Sequence, residues 1–410
     1  MKQSRTAIVI GGSLGGLVAA NLLLRAGWDV HVYERVADEL ESRGAGIVTH
    51  PELMDSLRLA GVVVDDSMGV SIEERVTLGQ DGSRVGSRPA PQLFTAWGRL
   101  FHALRAAFPN ERYHNGKHLL SFEQNADSVT AMFDDGETVS GDVLIGADGV
   151  RSSVRQSLLP DVGLQYAGYA AWRGVVDESV LSESVMTDVF PYFAFGLPPR
   201  ELLVAYPIAG KNNRVTPGDR RYNFVWYRPA DEHTTLRDML TDTTGKVWPE
   251  GIPPPRIRPE LLDATRQAAR DVLAPQFAEL VEKTENLFFQ PIYDLASTQL
   301  AFGRIALLGD AAFVARPHCG MGVAKAAGDA VELVKALGKN GDIAAALRAY
   351  EEPRLQLGNL IIAQARHLGA YMQAQVSTPL EREMAERYRT PEAVMAETAM
   401  HLSLAEPPRT

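Results

Sequence analysis

Residues 6–35 constrain the fold more than any other part of the chain. Residues 7–10 form a short apolar run, which predicts a buried parallel strand, and residues 11–16 are rich in glycine. Apolar side chains then recur with helical spacing through residues 17–25, and residues 29–33 alternate as a second strand does. The order strand, glycine turn, helix and strand predicts a dinucleotide-binding βαβ unit.

Each part of this unit has a physical role. Gly11 and Gly16 leave room for backbone N–H groups to approach a pyrophosphate, and the helix N-terminus offers that anion unpaired donors and a favourable dipole. Glu34 ends the second strand, where a carboxylate accepts a hydrogen bond from a ribose hydroxyl. Ser13 replaces the middle glycine of G-x-G-x-x-G, but serine is small and donates a hydrogen bond. An ordinary glycine-rich turn is the alternative, and the motif alone does not separate NAD from FAD.

Length and composition limit the class of protein. A chain of 410 residues is too long for one core, which predicts two domains or one domain with a large insertion. The formal net charge of −10 disfavours nucleic acid and anionic membranes as partners. With Cys319 as the single cysteine, we expect no disulfide, no metal site and a cytoplasmic location. We expect neither a signal peptide nor a membrane span.

Two further apolar strands end in loops of the kind that binds ligands in open α/β sheets. Residues 143–146 run into an Asp-Gly pair at 148–149, and residues 305–308 run into a Gly-Asp pair at 309–310. A Pro-x-x-Gly-x-Gly run over 317–322 then opens a helix of small residues. The alternative for the aspartate of the first pair is a cap on the helix that follows it.

These three loops, in this order, resemble those of the single-component (class A) FAD-dependent aromatic hydroxylases, which have the para-hydroxybenzoate hydroxylase fold. The residues that carry the resemblance in the second and third loops are Asp148, Gly149, Ser152, Arg155, Gly309, Asp310, Pro317, Gly320 and Gly322. Segments 11–13, 46–53, 166–175 and 316–318 are similar to the subgroup of 2,6-dihydroxypyridine 3-hydroxylases. Pyridine-diol and 6-hydroxynicotinate hydroxylases share the Pro-His of the last segment.

The resemblance implies an α/β fold in which a Rossmann-type FAD-binding domain carries an inserted antiparallel-sheet substrate domain and long C-terminal helices. Residues 165–294 are rich in aromatic and β-branched residues, as expected of such an insertion. The predicted boundaries are 1–72, 97–164 and 296–345 for the FAD-binding domain, 73–96 and 165–295 for the substrate domain, and 346–410 for the C-terminal helices.

The resemblance also implies which residues bind FAD. Glu34 is expected on the adenosine ribose, Asp310 on the ribityl or pyrophosphate region, and residues 320–322 beside the flavin ring, where a helix N-terminus suits a reduced, anionic flavin. Phe313 stands where the family often has histidine, so a role for that position stays open. The expected cofactor-binding residues are Gly11, Ser13, Leu14, Gly16, Glu34, Arg35, Arg43, Arg99, Asp148, Gly149, Gly309, Asp310, Pro317, Gly320, Met321 and Gly322.

The activity implied by the resemblance is a monooxygenase that uses NAD(P)H and O2 to hydroxylate an electron-rich, hydroxylated N-heterocycle through a C4a-hydroperoxyflavin. The expected reaction is the hydroxylation of 2,6-dihydroxypyridine at C3. Another phenolic or heteroaromatic ring, such as 6-hydroxynicotinate, a flavin oxidase or dehydrogenase, and a nucleotide-binding sensor are the alternatives. A flavin halogenase is disfavoured because no two tryptophans lie two residues apart. Homodimers are common in the family, and the sequence leaves the oligomeric state open.

Few side chains are candidates for the chemistry on the ring. A histidine is the natural base near neutral pH for deprotonating a ring hydroxyl. His318, next to Pro317, is expected to face flavin and substrate as a base or a substrate contact, and His50 is the second candidate. Tyr206 and Tyr192 are expected to hydrogen-bond a ring hydroxyl. The alternatives are a helix-start histidine bonded to backbone and tyrosines of an ordinary core.

Overall fold

A computed structural model describes residues 4–38, 46–249, 251–339, 341–376 and 378–404; Arg43 lies outside them. The strands are β1 (Thr6–Ile10), β2 (Asp29–Glu34), β3 (Gly46–Val48), β4 (Val70–Leu78), β5 (Arg84–Ala96), β6 (Tyr113–Asn115), β7 (Leu119–Gln124), β8 (Val129–Phe133), β9 (Thr138–Gly141), β10 (Val143–Gly146), β11 (Gln165–Asp177), β12 (Phe193–Gly196), β13 (Leu202–Ile208), β14 (Arg221–Pro229), β15 (Phe288–Ala296), β16 (Ala301–Phe302), β17 (Ile305–Leu307) and β18 (Phe313–Val314). The helices are α1 (Leu14–Arg25), α2 (Pro51–Leu59), α3 (Trp97–Ala106), α4 (Ser153–Leu158), α5 (Glu183–Asp188), α6 (Thr235–Met239), α7 (Pro259–Val272), α8 (Pro275–Glu282), α9 (Gly322–Lys339), α10 (Ile343–Gly369), α11 (Pro379–Arg387) and α12 (Pro391–Glu397).

A six-stranded sheet in the order β16-β17-β10-β1-β2-β6 carries the three predicted loops. The strands β17, β10, β1 and β2 run parallel, and their last residues are in register: Ile10 pairs with Gly146, and Gly146 pairs with Leu307. The apolar side chains of β1 and β10 are buried, as expected for strands covered on both faces. The three loops that follow these strands therefore leave one edge of the sheet side by side.

A second, nine-stranded sheet has the order β18-β15-β11-β14-β13-β12-β4-β5-β3. Its strand pairs are antiparallel except for β12 with β4, so the predicted antiparallel insertion is a mixed sheet. It includes β3 and β18, which lie outside the segments assigned to the substrate domain from the sequence. The α/β fold class is confirmed, whereas the domain boundaries stay a prediction.

The alternation of side chains along the large sheet separates two cores. Tyr169 on β11 and Tyr206 on β13 pack in the core shared with the six-stranded sheet, whereas their neighbours Ala170 and Ala205 pack in the second core. On β14, Tyr227 faces the first core and Trp226 the second. Because successive residues of a strand point to opposite faces, the position of one residue fixes which side chains can reach the space between the sheets.

The long C-terminal helices predicted from the sequence are present. The helix α9 packs on α1, and α10 packs on α9. The chain then returns through α11 and α12 to the large sheet, where α12 contacts β4 and β5. Within the described part of the chain, no helix combines the length and hydropathy needed to cross a membrane.

Candidate active site

The first loop approaches neighbouring backbone so closely that its glycines cannot be replaced without movement. Gly11 has a φ of +104°, and a Cβ there would lie 2.4 Å from the carbonyl oxygen of Ala147. A Cβ on Gly16 would lie 1.9 Å from the carbonyl oxygen of Gly11. The Gly12 N–H donates to the Glu34 carboxylate at 2.8 Å, and the Tyr113 hydroxyl donates to the Gly12 carbonyl at 2.9 Å. The loop is thus held tightly against the ends of β2 and β10.

A cleft of about 200 Å³ opens over this loop. Of the residues expected to bind the dinucleotide, it is lined by Gly11, Ser13, Glu34, Arg35, Asp148 and Gly149. Trp97 and Lys117 complete two of its walls and were not foreseen from the sequence. Leu14 is buried at the start of α1, where it packs in the core. The cleft brings together most of the residues expected at the adenosine end.

Asp148 has two functions in this geometry. Its carboxylate accepts hydrogen bonds from the Ser152 hydroxyl at 2.5 Å and from the N–H groups of Ser153 at 2.7 Å and Val154 at 3.2 Å. It therefore caps α4, as the alternative interpretation held, and it also lines the cleft. Burial raises the pKa of its carboxyl, although these hydrogen bonds oppose the shift. Arg155 donates to the Ala311 carbonyl at 3.1 Å, which connects the second loop to the third.

The third loop rests on a buried cluster of charges. Asp329 on α9 accepts from the Gly309 N–H at 2.9 Å, from Lys325 at 3.2 Å and from Arg354 at 2.6 Å. Lys325 also donates to the Gly309 carbonyl at 2.7 Å. Burial alone would raise the pKa of the Asp329 carboxyl, but the two cations outweigh it and hold the pKa below its usual range. The conformation of Gly309 thus depends on one paired carboxylate, while Asp310 next to it faces a cavity.

That cavity, of about 220 Å³, lies between the third loop and the large sheet. The third loop supplies Asp310, Pro317, His318, Gly320 and Gly322 to its lining. The sheet supplies Arg173, Phe193, Val204, Tyr206, Val225 and Tyr227, and the C-terminal segment supplies Thr398 and Ala399. It is an aromatic chamber next to the start of α9.

His318 is buried in the wall of this cavity. Its Nε2 lies 2.7 Å from the Tyr169 hydroxyl, whereas its Nδ1 has no hydrogen-bond partner. The rings of Tyr169 and Tyr227 lie 5.7 and 4.6 Å from the imidazole. Burial first, and the nearby Arg316 second, lower the pKa of His318 to about 3. The imidazole is therefore neutral near pH 7 but a weak proton acceptor, which does not favour the expectation that it is a base.

The neighbours of Tyr169 determine which nitrogen of His318 carries the proton. The Arg316 guanidinium, which is fixed by Asp294 at 2.9 Å and Gln373 at 3.0 Å, lies beside the Tyr169 hydroxyl and opposes the rise that burial causes in its pKa, so we infer that it donates to the tyrosine oxygen. A guanidinium has no acceptor, so the tyrosine oxygen accepts from Arg316 and its own proton points to Nε2. With Nε2 as an acceptor, the neutral imidazole carries its proton on Nδ1. His318, which lines the cavity, thus carries an N–H donor that has no partner.

Arg173 is a second donor in the same chamber. Its side chain lines the cavity, and within the described part of the chain it makes neither an ion pair nor a hydrogen bond. Its charge opposes the rise that burial causes in the pKa values of Tyr206 and Tyr227, the latter of which still reaches about 12. Both tyrosines remain neutral near pH 7. An unpaired guanidinium in a partly buried chamber is an energetic cost that an anionic ligand offsets.

His50 and Tyr206 support the site in different ways. The His50 ring donates through Nε2 to the Gly320 carbonyl at 3.2 Å, so it contacts the third loop from behind and is not part of the cavity wall. Burial lowers the pKa of His50 to about 4. Tyr206 lines the cavity, but its hydroxyl donates to the Gly46 carbonyl at 2.9 Å and its ring stacks on Phe94.

Three other residues expected at the site do not line the cleft or the cavity. Tyr192 precedes β12 and lies under the Arg84 guanidinium, because alternation turns Phe193 into the cavity and Tyr192 to the opposite face. Arg99 donates to the Ser67 hydroxyl at 2.5 Å and does not line the dinucleotide cleft. Met321 is buried and lies in a groove beside α2 and α9, outside the cavity. Tyr192 thus faces away from the cavity, whereas the roles expected of Arg99 and of the Met321 backbone stay predictions.

Comparison with known proteins agrees with this geometry. A family model described as "FAD binding domain-like" matches residues 166–294. A 2,6-dihydroxypyridine 3-monooxygenase of Paenarthrobacter nicotinovorans is 35% identical over 365 residues, which are 89% of this chain and 91% of that protein. A 6-hydroxynicotinate 3-monooxygenase of Bordetella bronchiseptica is 30% identical and covers 85% of this chain and 87% of its own length. The chain belongs to the class A FAD-dependent aromatic hydroxylases. It is an FAD-dependent monooxygenase.

Solved structures agree with this assignment. The structure of 2,6-dihydroxypyridine-3-hydroxylase from Arthrobacter nicotinovorans superposes with a TM-score of 0.85 at 33% identity and covers 92% of this chain and 96% of that one. Klebsiella pneumoniae HpxO, complexed with FAD and uric acid, gives a TM-score of 0.75 at 25% identity, with 96% and 93% covered. The predicted family and its FAD cofactor are thus confirmed.

The residues of this hydroxylase fit FAD. Side chains at Gly11 and Gly16 would clash with neighbouring backbone, so the first loop approaches the cleft as bare backbone, and Glu34 lies at the end of β2 beside the cleft. The start of α9, an 18-residue helix, opens at Gly322 into the aromatic cavity. A helix N-terminus favours a negatively charged group. The cleft and the cavity therefore suit the two ends of the cofactor.

The charge cluster under the third loop makes a prediction about stability. Asp329→Asn leaves Lys325 and Arg354 buried without their carboxylate, and we expect the free energy of unfolding to fall by about 3–5 kcal/mol. FAD should also dissociate more readily, because the single amide oxygen of asparagine cannot serve the Gly309 N–H, Lys325 and Arg354 as two carboxylate oxygens do. Urea unfolding and FAD retention measure the two effects.

The matched control is Glu332→Gln on the same helix. Glu332 pairs with Lys335 at 2.8 Å on the exposed face, and its loss should change stability by less than about 1 kcal/mol. Equal effects of the two substitutions would show that the buried cluster has no special role.

Proposed function

We propose that this hydroxylase acts on an electron-rich, hydroxylated N-heterocycle, with 2,6-dihydroxypyridine as the substrate and C3 as the site of hydroxylation. NAD(P)H and O2 are the proposed co-substrates. The observation that supports this proposal best is the pair of unpartnered donors in the cavity, the Arg173 guanidinium and His318 Nδ1, within an aromatic wall. Two unpartnered donors on residues that line one small chamber suit an ionised ring oxygen.

The chemistry of the ring agrees with this arrangement. The oxygen at C2 of 2,6-dihydroxypyridine is ortho to C3 and the oxygen at C6 is para to it, so both direct electron density to that carbon. An ionised oxygen donates more electron density to the ring than a hydroxyl group does. We infer that Arg173 and the Nδ1–H of His318 bind the substrate as its anion, while Phe193 and Tyr227 orient the ring plane. His318 then acts as a donor to the anion, and no side chain needs to remove the proton.

The cofactor roles follow from the loops. We propose that Gly11, Glu34 and Asp148 hold the adenosine and pyrophosphate portion and that Asp310 and the start of α9 hold the flavin portion. When bound, FAD supplies hydride acceptance from NAD(P)H and activation of O2. The residues of this chain bind and orient the ring, and the aromatic wall excludes water that would divert the activated oxygen.

A larger cleft, of about 960 Å³, is proposed for the nicotinamide co-substrate. It begins at Arg151 and Arg155 after the second loop and meets the flavin side at Val314 and Pro317. Arg173 lines both this cleft and the cavity. Arg155 is buried and donates to the carbonyls of Ala311 and Val150, so Arg151 and Arg173 are the guanidinium groups proposed for the pyrophosphate of the dinucleotide. The proposed reactants all diffuse in water, which agrees with the cytoplasmic location expected from the sequence.

The alternative substrate class is a ring that carries a carboxylate, such as 6-hydroxynicotinate. Arg173 favours it, because a guanidinium binds a carboxylate in a bidentate manner. A flavin oxidase or dehydrogenase would consume reductant without oxygenating any ring. These alternatives differ in the product that they form.

A substrate panel tests the proposed function. Purified holoenzyme is mixed with NADH or NADPH and with 2,6-dihydroxypyridine, 6-hydroxynicotinate or 4-hydroxybenzoate, and reductant, O2, peroxide and product mass are measured. We expect the fastest coupled turnover, with one added oxygen atom, for 2,6-dihydroxypyridine. The proposal fails if no ring accelerates reductant consumption, and peroxide as the sole oxygen product would identify an oxidase.

The proposed donor role of His318 makes a pH prediction. The charged and titratable groups around it are Arg316, Tyr169, Tyr227, Arg173 and Asp310. Because burial lowers the pKa of His318 to about 3, protonation of this imidazole should not limit turnover of the wild-type enzyme between pH 5 and pH 8. His318→Ala removes the donor that stabilises the bound anion, so turnover should fall most at low pH, where the free substrate is protonated.

The control for this variant is His318→Asn, which retains an N–H donor. We expect it to recover part of the lost activity and to move the acidic limb of the kcat/KM profile back toward that of the wild type. An acidic limb that is identical in all three proteins would remove His318 from substrate binding.

The orientation of His318 depends on Tyr169 in this proposal. Tyr169→Phe deletes the hydroxyl that donates to Nε2, so the imidazole no longer prefers the Nδ1–H form. We expect KM to rise by about tenfold, the size of one lost hydrogen bond to a charged group, with FAD binding unchanged. ¹⁵N chemical shifts of the imidazole report the tautomer directly. Unchanged shifts in Tyr169→Phe would contradict the assignment.

A further inference from the structure

The end of the chain forms part of the cavity wall. The C-terminal strap, which we define as residues 391–404, comprises α12 and the extended segment after it. Thr398 and Ala399 of the strap line the same cavity as Arg173 and His318. Both residues are nearly inaccessible to solvent. A segment more than 70 residues beyond the third loop in the sequence thus contributes to the chamber for the ring.

The strap is bonded directly to the loop that carries His318. The Ala399 N–H donates to the His318 carbonyl at 2.8 Å. A Cβ placed on Gly320 would lie 3.2 Å from the Ala399 methyl, so the two backbones are close together. Ala399 has a φ of +56°, a conformation that costs an L-residue about 1–2 kcal/mol. Strain of this kind persists only where the surroundings hold the backbone in place.

Arg75 on β4 is the group that holds it. Its side chain is 1% exposed, and its Nη1 donates to the carbonyls of Met395 and Thr398, both at 2.7 Å. Its Nη2 donates at 2.9 Å to Gln92, whose amide donates in turn to the Ala399 carbonyl at 3.0 Å. Within the described part of the chain, no carboxylate pairs with this guanidinium.

A buried cation without a counter-ion is costly unless backbone or side-chain oxygens satisfy its donors. The strap supplies two of those oxygens, so Arg75 and the strap depend on each other. Burial and the nearby Arg88 lower the pKa of Arg75 to about 10, which leaves it charged near pH 7. The Arg75 guanidinium also lies 5.2 Å from the ring of Phe193, which itself lines the cavity.

We propose that the C-terminal strap is a specificity-determining wall of the substrate cavity, with Thr398 and Ala399 in contact with the bound ring and Arg75 as the residue that positions them. The identity of the ring rests on the proposed function above, whereas the closure of the cavity by the strap does not. A larger side chain at position 399 takes space from the cavity or displaces the His318 loop. A loosened strap admits water and wastes reductant as peroxide.

The experiment compares four variants of the holoenzyme with the wild type. Ala399→Asn enlarges the side chain with a residue that tolerates positive φ, and Ala399→Gly relieves the strain and enlarges the chamber. Arg75→Met removes the guanidinium that binds the carbonyls of the strap. Arg88→Met, which removes an exposed arginine on the adjacent strand, is the matched control. The measurements are KM and kcat for 2,6-dihydroxypyridine and for its 4-carboxyl analogue, peroxide formed per NADH, and iodide quenching of flavin fluorescence.

The expected results separate a wall from ordinary packing. Ala399→Asn should raise KM for 2,6-dihydroxypyridine by about tenfold or more, the usual penalty for a misfit of this size, with NADH-dependent flavin reduction unchanged. Ala399→Gly should favour the bulkier 4-carboxyl analogue relative to the parent ring. Arg75→Met should raise both the peroxide yield and the iodide quenching constant severalfold, while Arg88→Met matches the wild type.

Contrary results have distinct meanings. If the wild type oxygenates no ring of the panel, the proposed function fails, but iodide quenching still tests closure by the strap. If Arg75→Met does not fold, Gln92→Leu removes the bond to the Ala399 carbonyl and leaves the buried guanidinium in place. The proposal is overturned if KM, peroxide yield and quenching in the position-399 variants and in the Arg75→Met or Gln92→Leu variant equal those of the wild type.

Discussion

The parallel pairing of β1 with β10 and of β10 with β17 is the constraint on which the site depends. This register places Ile10, Gly146 and Leu307 side by side, although they are 136 and 161 residues apart in the chain. Three loops of different composition then leave one edge of the sheet together. A slip of one residue in either pairing would move every side chain of a fully buried strand to the opposite face of the sheet. It would also move one loop away from the other two. The large sheet can complete the site only because this edge holds the three loops together.

Much of the fold and the cofactor end of the site could be predicted because the signals are local. Strand, glycine turn, helix and strand follow one another in residues 6–35, and the second and third strand-end loops are marked by an Asp-Gly and a Gly-Asp pair. The ring-binding end carries no such signal. Tyr169 and His318 are 149 residues apart, and Arg75 is more than 320 residues from the carbonyl of Thr398. Contacts of this range depend on the packing of two sheets, which no local pattern encodes.

One signal for the missed residues was nevertheless present in the strand alternation. Tyr169 and Arg173 are separated by an even number of positions on β11, so both side chains point to the same face of that strand. The same alternation separates Phe193, in the cavity, from Tyr192, under Arg84. Choosing among aromatic residues by type alone led to Tyr192, whereas choosing by face would have led to Phe193. Which face turns to the flavin depended on knowing how the two sheets pack, and that information was not local.

The third loop is held from three directions by groups that all bind its carbonyl oxygens. Lys325 binds the carbonyl of Gly309, the Ala399 N–H binds that of His318, and His50 binds that of Gly320. With these acceptors directed into the protein, the loop contributes to the cavity wall His318, whose Nδ1 has no partner, and the start of α9, both of which favour negative charge. Asp310 lines the cavity as well, and its proposed partner is the flavin portion of FAD. Arg173 adds a full positive charge from the large sheet. An aromatic chamber with these donors suits an electron-rich anionic ring, because the ion is stabilised without a base that would compete for its proton.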